Sequence, residues 1–169
     1  MDLNALSSAR ATELLTSCCG SSRWVSRMVA SRPFESPAAV PAEADRIWKS
    51  LVPRDWLEAF MHHPRIGEKA AAIAQDATGR SWSADEQLGV SDAEAAVRAD
   101  LARVNRDYEQ LFGFIYIVCA TGKAAEEMLV IARARLRNNP ETELRVAAEE
   151  QRKIMQIRLE KLLDSPDPA

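Results

Sequence analysis

Apolar residues recur at three- and four-residue steps almost everywhere along this chain, and strand-like alternation is nearly absent. That spacing predicts amphipathic helices. An opening helix is expected over about Ser8 to Cys19, stopping at Gly20, which accepts a left-handed C-terminal conformation. Ser22 starts a short helix through Trp24, Val25, Met28 and Val29, which Pro33 ends. Pro37 or Pro41 can occupy the first turn of a third helix carrying Val40, Ala44, Ile47, Trp48 and Leu51. Pro53 breaks it, and a short helix through Trp56, Leu57 and Phe60 runs into His62-His63-Pro64.

Beyond Gly67, the alanine-rich stretch Lys69 to Ala77 has strong helix propensity. Ser83-Ala84-Asp85-Glu86 and Ser91-Asp92-Ala93-Glu94 both fit the S-x-x-E capping box, so each opens a helix. The second of these helices is long, with Val97, Leu101, Val104, Tyr108 and Leu111 as its apolar face. Another is expected from about Lys123 to Arg137, with Met128, Ile131, Ala132 and Leu136 inside. Asn139-Pro140-Glu141 supplies a cap residue, a first-turn proline and an acidic start for a last helix reaching about Leu163. The expected fold is an all-α, single compact domain of about seven to nine helices over residues 1–163, with a polar tail at 164–169. The β-branched and aromatic run Phe112 to Val118 has no second strand to pair with. It reads as an irregular, buried junction where Gly113 allows a close turn.

Composition agrees with a globular domain. The chain has 169 residues, 47% hydrophobic and 28% charged, enough for a real core and against intrinsic disorder. A formal net charge of −3 gives no general reason to expect nucleic acid or an anionic membrane as partner, although a local basic patch would escape that sum. The longest apolar run, Phe112 to Ala120, is far short of the ~18–20 residues that span a bilayer. The N-terminus lacks a signal-peptide pattern and the C-terminus an S-K-L address, so a cytoplasmic location is expected. Three cysteines, two of them adjacent (Cys18, Cys19), make a poor disulfide framework and suit a reducing compartment.

Few residues carry candidate chemistry. His62 and His63 are the only histidines, and as neighbours they are poorly placed to act on one atom. His63 precedes Pro64, which biases its backbone out of the helical region and lets its ring project into a cleft. A surface or hydrogen-bonded structural histidine is the alternative. Two histidines without an H-E-x-x-H pattern or a cysteine pair do not build a zinc site, and no Gly-rich phosphate loop or G-x-S-x-G motif is present. Cys119, in an apolar run, reads as an inert buried thiol. Glu86 is explained by its capping box, and the helix start it marks also offers free N–H groups to an anion. Arg158 falls within the apolar stripe of the last helix (Leu144, Ala147, Ala148, Ile154, Met155, Leu162), with Arg145 and Arg152 at its edge. An inward guanidinium needs something anionic, either an ion pair with another helix or a substrate carboxylate.

Taken together, these segments resemble one family over nearly the whole chain, the 2-oxo-4-hydroxy-4-carboxy-5-ureidoimidazoline (OHCU) decarboxylases. The resemblance rests on Cys19-Gly20-Ser21-Ser22-Arg23-Trp24, Arg32-Pro33-Phe34, and Ala59-Phe60 followed by His63-Pro64-Arg65-Ile66-Gly67. It continues through Ser83 to Gln87, Asn105 with Tyr108, Phe112-Gly113-Phe114, Arg135-Leu136 with Asn138, and Lys153-Ile154 with Arg158-Leu159.

The resemblance implies an all-helical fold, no metal or organic cofactor, a small-molecule substrate, and usually a homodimer. It also implies conversion of OHCU to (S)-allantoin in urate degradation. It carries the catalytic roles to His63, Glu86 and Arg158, selecting His63 over His62. Substrate contacts carry over to Pro64, Ser83, Gln87 and the backbone of Phe114, Ile115, Tyr116, Ile117 and Val118. Two alternatives stand beside this expectation: an enzyme of the same fold acting on a related ureido or imidazoline acid, and an inactive helical binding domain. The second would be expected to have lost His63, Glu86 or Arg158, and all three are present.

Overall fold

The computed structural model describes residues 1–65 and 95–165. Among these residues it contains seven helices and no strand: α1 (Ser8–Cys18), α2 (Ser22–Ala30), α3 (Ala39–Lys49), α4 (Pro53–Met61), α5 (Ala95–Phe112), α6 (Ala125–Arg135) and α7 (Pro140–Asp164). The fold is all-α, as the periodicity predicts. The helices expected over Lys69–Ala77 and from Ser83, and the capping box Ser91–Glu94, lie outside the described residues.

Local chemistry explains most of the boundaries. The Ser7 side chain accepts from the Arg10 N–H at 3.2 Å to start α1, and Ser21 does the same for Trp24 at 3.4 Å to start α2. α3 begins at Ala39, so Pro41 rather than Pro37 sits in its first turn. Pro53 is the first residue of α4, where its missing N–H costs nothing. The Asp55 carboxylate there accepts from the Val52 N–H at 3.2 Å. At α7 the Asn139 side chain accepts from the Thr142 N–H at 2.9 Å.

The chain divides into two compact units, residues 1–59 with 152–169, and residues 60–151. In the first, α1, α2 and α3 pack in sequence around Leu15, Trp24, Met28 and Ile47. The Trp24 indole N–H donates to the Ala44 carbonyl at 3.2 Å, tying α2 to α3. Arg152 Nη1 meets both carboxylate oxygens of Asp45 (2.9 and 3.0 Å), and Gln156 donates to the Pro41 carbonyl at 3.0 Å. The C-terminal half of α7 is thereby held to α3. The edge position of Arg152 on the helical wheel is thus explained by an ion pair.

In the second unit, α5 packs on α6 through Leu101, Val104, Tyr108, Met128, Leu129 and Ala132. Leu111 departs from the expected apolar face and is 54% exposed. At 100° per residue the buried side of α5 centres on Leu101, Asn105, Tyr108 and Phe112, which leaves Leu111 on its flank. A comparable shift occurs on α7, where Glu143 is buried in place of Leu144, which is only half-buried.

Candidate functional site

His63 sits one turn past the end of α4. Its N–H donates to the Phe60 carbonyl at 3.1 Å, and the residue is 7% exposed, so the imidazole is withdrawn from solvent. His62 and Pro64 are half-buried. Arg65 then grips Glu109 of α5 with a two-pronged fork, Nε at 3.0 Å and Nη2 at 2.8 Å. That fork pins the His63–Arg65 turn to α5 and holds the Glu109 carboxyl below the usual carboxylate range.

The run after α5 behaves as the expected buried junction. Gly113 adopts φ +78°, a conformation that a residue with Cβ rarely takes, and its N–H closes α5 onto the Glu109 carbonyl at 2.9 Å. Phe114 packs against Phe60 (5.4 Å between centroids) and meets the edge of Tyr108 (5.7 Å), and Ile115 is half-buried. Tyr116, Ile117 and Val118 are buried.

One polar network sets this segment. The wholly buried Glu143 carboxylate accepts from Arg135 Nε (2.7 Å), from Asn138 Nδ2 (2.7 Å) and from the Tyr108 hydroxyl. Arg135 also donates through Nη1 to the Ile117 carbonyl at 2.7 Å, and its guanidinium lies 4.9 Å from the centre of the Tyr116 ring. Burial pushes the Tyr108 and Tyr116 phenols well above their ordinary range despite the nearby guanidinium, so both remain protonated donors. Tyr116 donates to the Met128 carbonyl at 3.2 Å.

Two residues on, the Glu150 carboxylate accepts the Cys119 N–H at 2.8 Å and Lys123 donates to the Cys119 carbonyl at 2.9 Å. Ile117 and Cys119 are therefore held through their backbone. Among the described residues, no hydrogen bond reaches the backbone N–H or C=O of Tyr116 or Val118. Buried backbone groups left open in this way are rare and are what a polar ligand can complete.

In the other unit, Arg158 is 3% exposed, and its Nη1 donates to the Ser17 carbonyl at 3.3 Å, in the last turn of α1. The Cys19 thiol feels the same guanidinium, yet burial dominates and pushes the thiol up to about 12. Cys18, Cys19 and Cys119 are all buried and none is in a disulfide, and the burial is that expected of Cys119.

Of the residues expected at a site, His63, Pro64, Phe114, Ile115, Tyr116, Ile117 and Val118 fall in the unit 60–151, linked by the Phe60–Phe114 contact. Arg158 belongs to the other unit. Ser83, Glu86 and Gln87 lie outside the described residues. Glu143 and Gln151 are among the buried polar residues that pattern reading does not single out. Glu143 looks like an acidic residue at a helix start, and only Arg135 and Asn138 nearby in sequence hint at partners. Gln151 falls in step with Ala147, Ala148, Ile154 and Met155 on α7 and is wholly buried. Neither its Nε2 nor its Oε1 has a hydrogen-bond partner among the described residues, and each such unmet group costs about 1–3 kcal/mol. No group of three metal-ligating side chains occurs among the described residues.

The fold and these groups define an all-helical protein that withdraws an imidazole, a guanidinium and a stretch of open backbone from solvent. The family model for OHCU decarboxylase matches residues 4–160, and the chain belongs to that family. It is 38% identical over 146 residues to the uric acid degradation bifunctional protein of Arabidopsis thaliana, covering 86% of this chain and 45% of that protein. It is 35% identical over 89 residues to the 2-oxo-4-hydroxy-4-carboxy-5-ureidoimidazoline decarboxylase of Amia calva, covering 53% of this chain and 51% of that one. The chain thus spans about half the length of these curated relatives.

Among solved structures, it resembles an OHCU decarboxylase crystallised in the presence of (S)-allantoin, with a TM-score of 0.76 and 34% identity. That match covers 90% of this chain and 99% of the other. A structure of (S)-allantoin synthase, at 20% identity and TM-score 0.69, covers 98% of this chain and 54% of that one, and supports the fold alone. No helix among the described residues is long and apolar enough to cross a membrane.

Proposed function

We propose that this chain catalyses the cofactor-independent decarboxylation of OHCU to (S)-allantoin in urate degradation, acting as a homodimer in the cytoplasm. The observation that carries the reading is the buried run Tyr116–Val118. The Ile117 carbonyl is held by Arg135, while the backbone groups of Tyr116 and Val118 stay open to a ligand among the described residues. The same run adjoins Phe114 and, through it, Phe60, whose carbonyl closes the His63 turn. Family membership supplies the substrate class.

The chemistry suits these residue types. The substrate carboxylate sits on a carbon that bears a hydroxyl and adjoins an electron-poor imidazoline ring. The C–CO₂ bond breaks, its electron pair spreads into the ring's C=N and C=O groups, CO₂ leaves, and one proton is added to a single face. In this reading Arg158 meets the substrate's negative charge, and open backbone N–H groups stabilise charge as it develops. His63 delivers the proton, with Glu86 holding the ring and supporting its protonated form. Pro64, Ser83, Gln87 and the backbone of Phe114 to Val118 contact the substrate.

His63→Ala tests the assignment. Allantoin formation is expected to fall to the uncatalysed rate while far-ultraviolet circular dichroism stays that of the wild type. Near-normal turnover would remove His63 from the mechanism.

A further inference from the structure

We infer that Gln151 is a specificity-determining residue that reads the ureido or cyclic-amide edge of the ligand through its side-chain carboxamide; this rests on the function proposed above. The inward stripe of α7 within its unit is Glu143, Ala147, Ala148 and Gln151. Its two polar members contrast sharply. Glu143 has its carboxylate filled by Arg135, Asn138 and Tyr108. Gln151 is 0% exposed, and both of its polar atoms lack a hydrogen-bond partner among the described residues. Methionine fills nearly the same volume without that cost, so the amide at this position needs a reason outside packing.

Its surroundings supply one. The adjacent residue, Glu150, takes the Cys119 N–H at 2.8 Å, which sets this turn of α7 against the end of the Ile117–Cys119 run. The same run carries the open backbone groups of Val118. A primary carboxamide offers two donors and one acceptor and carries no charge. Its natural complement is another neutral amide, paired N–H to O and O to H–N, as in a ureido group or a ring lactam. A carboxylate would leave the Oε1 acceptor unmet. In this way Gln151 recognises the uncharged end of the ligand, while the charged end is left to cationic groups.

The experiment compares wild type with Gln151→Met. Calorimetric titration with (S)-allantoin, the thermal midpoint without ligand, and kcat/KM for OHCU are measured on both. The variant is expected to melt at the wild-type temperature or above it, because two unmet polar groups are gone. Its affinity for (S)-allantoin and its kcat/KM are expected to fall roughly tenfold or more. Wild-type affinity and kcat/KM in the variant would overturn the inference. If the variant folds poorly, the side-chain NH₂ resonances of Gln151 in the wild-type protein decide. A shift on adding (S)-allantoin supports the inference, and no shift at saturation overturns it. A wild-type protein that neither binds (S)-allantoin nor accelerates OHCU decay would instead overturn the proposed function, and this inference with it.

Discussion

Arg135 donates to the Ile117 carbonyl at 2.7 Å while its Nε holds Glu143, also at 2.7 Å. One side chain therefore ties the buried run after α5 to the start of α7. Removing one partner of such a pair leaves the other charge buried, at a cost of about 3–5 kcal/mol. Arg135→Ala is accordingly expected to lower the urea unfolding midpoint by an amount equivalent to that loss, and Glu143→Gln to lower it in the same direction. Unfolding curves that superimpose on wild type would mean that the network does not carry stability.

Arg135→Lys should separate charge from shape. An ammonium cannot reach Glu143 and the Ile117 carbonyl with the planar fork that Arg135 uses. The lysine variant is expected to stay folded but lose kcat/KM, with most of the loss in KM, because the run proposed to contact the ligand is no longer held. A lysine variant with wild-type kinetics would show that this carbonyl contact has no bearing on the ligand.

Cys19 predicts a pH effect with a definite sign. Burial raises its thiol from 9.0 to about 12 in the folded protein. The folded state therefore keeps the proton over a range in which the unfolded chain releases it. The stability this confers is fully present below about pH 9 and is lost as pH rises from there toward 12. Cys19→Ser is expected to flatten the decline in unfolding free energy over that window, measured as a difference from wild type so that tyrosine titration cancels. Parallel curves for the two proteins would contradict it.

Arg158 tests the clamp reading. Arg158→Ala is expected to lower kcat/KM by ~10²-fold or more, as a buried charge-assisted contact contributes about 1.5–3 kcal/mol or above. Arg158→Lys keeps the charge but not the fork and is expected to recover little of it. A lysine variant as active as wild type would remove the planar contact.

Helix starts were legible because their causes are local. Ser22 and Asn139 announce α2 and α7 from the residues alone, with Ser21 as the cap before Ser22, while Pro53, expected only as the break after α3, is also the first residue of α4. Leu111 was not legible, since the buried face of α5 is decided by what packs on it, and Asn105 and Phe112 complete that face instead. His63 stood out through Pro64, and Arg158 through the mismatch of a cation in an apolar stripe. Gln151 occupies the same stripe unnoticed, because a neutral carboxamide offends a hydropathy pattern far less than a guanidinium does. Only its buried, unmet atoms distinguish it. Glu143 likewise reads as a dipole partner at a helix start until Arg135 and Tyr108 are found on it.

The most direct measurement follows OHCU itself. The unstable intermediate is generated enzymatically, and its decay is recorded by circular dichroism with and without this protein. Faster loss of the intermediate, with a growing signal of (S)-allantoin, is the result expected of a decarboxylase that protonates one face. Decay at the same rate with and without the protein, ending in racemic allantoin with no signal, would contradict the account.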